Sequence, residues 1–71
     1  MSEIDWHAVG YRAYSTQSLA APALCPVFRA WLDSANPPVG SREFTDNGRA
    51  WVGGWQAAAD DAARAALEAQ E

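Results

Sequence analysis

Apolar and small residues recur three and four positions apart in three segments of the chain, and proline and glycine clusters fall between them. In the first segment Trp6, Val9, Gly10 and Ala13 share one helical face. Ser2 followed by Asp5 resembles a capping box with Asp in the usual Glu or Gln place. A helix is expected over about residues 3–17. Gly10 weakens it, and Ala20-Ala21-Pro22 ends it, because proline disfavours helical geometry in the residue before it.

The second segment opens at Cys25-Pro26, where proline suits the first helical position, and Leu24, Phe28, Trp31 and Ala35 form its apolar stripe. This helix is expected over residues 25–35, stopped by Asn36-Pro37-Pro38, with a turn at Gly40. In the third segment Ser41 is placed to cap and Glu43 to meet the positive helix end. Phe44, Gly48, Trp51, Trp55, Ala59, Ala62 and Ala66 then hold one face over several turns. The expected span is residues 42–67, although Thr45-Asp46-Asn47-Gly48 is a competing turn signal that would delay the start to Asp46.

No segment alternates with the period of two that strands need, and no internal repeat or low-complexity linker is present. The pattern predicts one all-α domain over residues 1–71, either a small three-helix bundle or a helical hairpin with an added N-terminal helix. The first two helices are expected to pack on the Trp51 face of the third.

A chain of 71 residues buries only about 60% of the surface its unfolded form exposes, so its core is marginal. Folds of this size gain stability from disulfides, a metal or a second copy of themselves. Cys25 is the only cysteine and His7 the only histidine, so neither a disulfide within the chain nor a zinc ligand set is expected. Dimerisation, or docking on a partner, is the remaining route. The N-terminus lacks a basic stretch followed by an apolar run, and no segment approaches the ~20 apolar residues of a membrane span. Together with the unpaired cysteine this predicts a cytoplasmic protein with no membrane partner.

The formal charge is -4 and the chain has no lysine. Phosphate neutralisation by Lys and Arg dominates nucleic-acid affinity, so this balance predicts weak or no direct nucleic-acid binding. Asp60, Asp61, Glu68 and Glu71 concentrate the negative charge at the end of the third helix. The plainest reading is a solvated helix end, and a sharper one is an acidic face that mimics nucleic acid.

Three glycines within seven positions of the third helix, Gly48, Gly53 and Gly54, each cost about 1 kcal/mol relative to alanine, and something should compensate. Gly48 shares the face of Trp51 and Trp55, so it is expected where another helix of the chain comes close. Gly53 and Gly54 point elsewhere and are expected at a partner contact. Of the four tryptophans, Trp31 and Trp51 are expected in the core, and Trp55 and Trp6 at an interface, where Trp is enriched among energetic anchors. Tyr11 and Tyr14 form an amphipathic patch open to either reading. Arg42 and Arg49, seven apart, could grip phosphates or an acidic protein surface. With Asp46 between them, the favoured reading is an intrahelical ion-pair ladder.

Catalytic groups are scarce. Asp5, His7 and Cys25 are the only ingredients for nucleophilic chemistry, and Asp5 and His7, two apart, do not share a helix face. No glycine-rich phosphate loop follows a strand, and no carboxylate pair has metal-ligand spacing. A non-enzymatic protein without metal or cofactor is expected.

Gly10-Tyr11-Arg12-Ala13, the Cys25-Pro26 or Asn36-Pro37 connector, and Arg49-Ala50-Trp51-Val52-Gly53-Gly54-Trp55 together resemble the ribosome modulation factor family, including the related short plasmid and phage proteins. The tryptophan and glycine element is the specific part. The resemblance implies helices without a sheet and binding to the small ribosomal subunit near the messenger exit region, where such factors promote inactive paired ribosomes in slow growth. Taking Asn36-Pro37 as the connector leaves the shorter insertion and makes the N-terminal helix an addition. A different expectation is a phage or plasmid accessory protein that binds and inhibits a host protein through its aromatic surface.

Overall fold

The computed structural model describes residues 4–69. It is all-α, with α1 at Trp6–Ala13, a single 3-10 turn at Pro22–Leu24, α2 at Pro26–Ala35 and α3 at Arg42–Ala69.

α1 is shorter at both ends than the periodicity suggests. Asp5 caps it directly, its carboxylate accepting from the Ala8 N–H at 3.1 Å, so helical geometry starts at Trp6. The expected role of Ser2 lies outside the described residues. At the other end the Ser15 and Thr16 hydroxyls donate to the Arg12 and Ala13 carbonyls, and their backbone N–H groups close onto the same two oxygens. These local bonds compete with continued helix and end it four residues before Gln17. Gln17 then fixes the connector, its amide donating to the Leu19 and Ala21 carbonyls at 2.8 and 2.7 Å.

Pro26 occupies the first turn of α2, and Cys25 precedes it in an extended conformation. The helix ends where Asn36 turns left-handed (φ 46°) while its N–H still reaches the Leu32 carbonyl at 2.9 Å. Gly40 has φ 82°, and the Ser41 N–H donates to the Pro38 carbonyl, closing a turn that needs positive φ at its third residue. The Ser41 hydroxyl then accepts from the Phe44 N–H at 3.2 Å. That cap starts α3 at Arg42, so the competing turn at Thr45-Asp46-Asn47-Gly48 does not form.

The core joins all three helices through aromatic rings. Trp6 meets Phe28 and Trp31 edge to face at centroid distances of 5.1 and 5.5 Å, and Phe28 meets Trp31 and Phe44 at 5.4 and 6.2 Å. Trp51 is wholly buried beneath them, with Ala13 and Cys25 completing the cluster. The two N-terminal helices engage α3 differently. α1 crosses it backbone to backbone, whereas α2 is held at ring distance, Phe28 meeting Phe44. Beyond Ala58 the third helix leaves this core, and residues 60–69 are exposed on every side. The molecule is accordingly elongated, 48 × 22 × 20 Å.

Candidate interaction surface

The α1–α3 crossing is fixed by Gly10 and Gly54. A Cβ on Gly10 would overlap the Trp51 carbonyl oxygen, and one on Gly54 would overlap the His7 carbonyl oxygen and lie 2.9 Å from the Tyr11 nitrogen. Only hydrogen fits at both positions. Gly48 is the opposite case: a Cβ there meets nothing within 4 Å. At Gly53 the only neighbour is the His7 ring at 3.8 Å, an ordinary contact. The close approach expected at Gly48 therefore occurs at Gly54, and Gly54 is spent inside the fold and leaves the candidate surface. Gly48 and Gly54, six residues apart, lie on different sides of α3, and α1 crosses on the side of Gly54. Gly10, read only as a weakness in α1, is the other half of that crossing. Its signal in the sequence was a glycine kept in a short helix despite its cost.

The aromatic candidates divide similarly. Trp6 is 6% exposed and belongs to the core, because α2 folds over it with Phe28 and Trp31; it is not an outward anchor. Trp51 is in the core as expected, although its buried indole N–H has no hydrogen-bond partner. Trp31 is half-buried against the same cluster. Trp55 is also half-buried. Its indole N–H donates to the Gln17 carbonyl at 3.0 Å and its ring packs edge to face on Tyr14 at 5.0 Å, so part of it holds the connector down. Tyr11 is exposed and its hydroxyl donates to Asp61 at 2.5 Å. That hydrogen bond, with the carboxylate charge beside it, raises the phenol above its usual pKa of 10.0.

Arg42, Asp46 and Arg49 are all exposed, but the ladder does not form. Among the described residues the one ion pair is Arg64–Asp61 at 3.8 Å. Arg49 instead borders an open cleft of about 490 Å³ along the outer side of α3, to which Pro22, Phe44, Gly48, Val52 and Gly53 also contribute, while Arg42 lies outside its lining. The missing side chains of Gly48 and Gly53 are part of what opens it. Sequence reasoning missed Pro22, which reaches this cleft because the 3-10 turn docks against α3.

The catalytic ingredients do not converge. Cys25 is buried in the core at 3% exposure, while His7 lies exposed with its ring toward Gly53. Asp5 is engaged in capping. Among the described residues no three His, Cys, Asp or Glu side chains are grouped to hold a metal ion, and no helix is long and apolar enough to cross a membrane.

The surface that remains for a partner is thus Arg49 and Gly53 at the cleft, with exposed Arg42 nearer the start of α3 and Tyr11 and the outer edge of Trp55 on adjacent sides. No family model, no curated protein and no solved structure matches the chain.

Proposed function

We propose that this chain is a non-catalytic cytoplasmic binding protein, a ribosome-associated modulator that works by occupying a site on the small subunit. One observation supports the reading above others. With Cys25-Pro26 taken as the connector instead of Asn36-Pro37, Gly10-Tyr11-Arg12-Ala13 and Trp51-Val52-Gly53-Gly54-Trp55 are the two separated pieces that resemble ribosome modulation factors, and they meet at a single helix crossing. A motif pair that depends on mutual contact is harder to reach by chance than either piece alone. The face offered to the subunit is the cleft bordered by Arg49, with Arg42 nearer the start of α3. With a net charge of -4, the contact is assigned to a protein surface of the subunit, with little role for bare RNA.

Co-sedimentation of tagged protein with ribosomal particles, at low and moderate salt, tests this. Migration with 30S, 70S or paired ribosomes is expected, weakened by Arg49→Glu. Absence from all ribosomal fractions would sink the ribosomal reading. Stoichiometric recovery of a single host protein from the same lysate would instead favour an accessory protein that inhibits a host target.

A further inference from the structure

A second cavity, of about 310 Å³, lies between α1 and the start of α2 and shares no lining residue with the Arg49 cleft. Val9 and Ala13 of α1 form one wall, and Cys25, Pro26 and Val27 form the other. Ala13 and Cys25 belong to the buried core, so the cavity reaches down to it, while Val27, 47% exposed, stands at the lip. Apolar walls with few polar groups, at this volume, are the character of a small-ligand site.

The polar groups of the cavity are unequal. The Thr16 hydroxyl already donates to the Ala13 carbonyl, and the Gln17 amide donates to the Leu19 and Ala21 carbonyls. Arg12 differs: it is exposed at the cavity and pairs with no carboxylate among the described residues. Asp61 borders the adjoining groove together with Arg12, but its carboxylate is held by Tyr11 and Arg64. No Asp or Glu occurs from residue 6 to residue 32, so this part of a chain of net charge -4 is locally positive. α2 starts in the cavity wall with no side chain capping it, which adds its positive end to the same wall. The opposing carbonyls at the end of α1, those of Arg12 and Ala13, are taken up by Ser15 and Thr16. An apolar cavity with one uncommitted guanidinium fits a single negative charge on an aliphatic tail. A doubly charged phosphate would meet only one cation.

We propose that this cavity binds a monocarboxylate with a medium-length aliphatic tail, the carboxylate on Arg12 and the tail along Val9, Ala13, Cys25 and Val27. The proposal is independent of the ribosomal reading, since none of that cleft takes part. Bound there, the tail packs α1 against the start of α2, and the thermal midpoint rises as ligand is added.

Methyl NMR of the full-length chain titrated with sodium octanoate reads the site. Saturable shifts are expected at Val9, Ala13 and Val27, with Val39 and Leu67 unmoved although they are 93% and 67% exposed. Affinity is expected to climb from butanoate to octanoate by up to about fourfold per methylene, the gain for burying one. Arg12→Gln should weaken octanoate by up to about fivefold, the range of an exposed ion pair, and Val27→Glu, which sets a carboxylate at the lip, should weaken it at least as much. Arg29→Gln removes the same charge from an exposed position outside the cavity and should leave the affinity unchanged. Helicity by circular dichroism checks that each variant folds. Absence of saturable shifts at Val9, Ala13 and Val27, or equal shifts at Val39 and Leu67, would overturn the proposal, as would an Arg12→Gln variant that weakens octanoate no more than Arg29→Gln does. An acetylated dipeptide ending in leucine that binds more tightly than octanoate would assign the cavity to the chain end of a partner and overturn the free-acid reading.

Discussion

The inner and outer faces of α3 carry the same kind of residue to opposite ends. Gly54 lies against the His7 carbonyl, whereas Gly48, six residues earlier, faces open space. Both carry a similar intrinsic penalty for sitting in a helix. On the inner face that penalty is offset by a backbone crossing that no other residue permits, and the crossing seats Trp51 in the core. On the outer face nothing within the chain offsets it. The missing side chain at Gly48 instead leaves the cleft on the outer face open.

The sharpest way to break this comparison is Gly54→Ala. The overlap is with backbone, so no side chain can swing aside and the helices must separate. A loss of about 3 kcal/mol is expected, the upper end for overpacking. That is a large part of the ~4–10 kcal/mol total for a chain of this length. Thermal unfolding followed by circular dichroism should show a midpoint lowered by more than about 12 °C. Gly10→Ala meets the Trp51 carbonyl and should behave alike. An unchanged midpoint in either variant would mean that α1 does not cross α3 here.

Trp55→Phe probes the boundary between the two faces. It removes the bond to the Gln17 carbonyl and trims the contact with Tyr14. A destabilisation of about 1.5 kcal/mol is expected in denaturant unfolding, with helicity retained. Collapse of the whole fold would place Trp55 in the core after all.

Gly48→Ala should move stability the other way. With no atom within 4 Å of the new methyl group, the helix gains most of the alanine propensity, just under about 1 kcal/mol. The midpoint of the monomer should rise by about 4–8 °C. The same variant narrows the cleft, so a stabilised protein that binds ribosomal particles more weakly is the outcome that separates the two faces. A destabilised monomer would show that the outer face is packed.

The helices themselves were legible because periodicity, Pro26, Ser41 and Asn36-Pro37 are local signals, and local chemistry decides most helix ends. The exception is the C-terminus of α1, where Ser15 and Thr16 fold back on the chain and outcompete a pattern that could have run on to Gln17. Which glycine marks the crossing was not legible. Gly48, Gly53 and Gly54 are equivalent in propensity, and only the side on which α1 crosses α3, a tertiary quantity, tells them apart. Trp6 was misplaced for the same reason: its burial depends on α2 folding over it, and nothing within α1 announces that. The cleft escaped notice because one wall is Pro22, read only as a helix breaker.

The smallest effect is expected at Tyr11, on the edge where the exposed arm begins. The phenol donates to Asp61, and that bond, with the adjacent carboxylate charge, raises its pKa above 10.0. For an acid whose pKa is higher folded than unfolded, the contribution to stability is complete below the unfolded value and fades as pH rises through the folded one. The tether should therefore hold unchanged from neutral pH to about 10 and loosen only above it. Absorbance titration near 295 nm should show a phenol ionising above the usual tyrosine range, and Tyr11→Phe should remove that component. At neutral pH that substitution is expected to shift unfolding least of all those named, because the bond is solvent-exposed and water competes for both partners. A Tyr11→Phe variant that unfolds as readily as Gly54→Ala would mean that α3 is positioned by its arm and not by its glycine crossing.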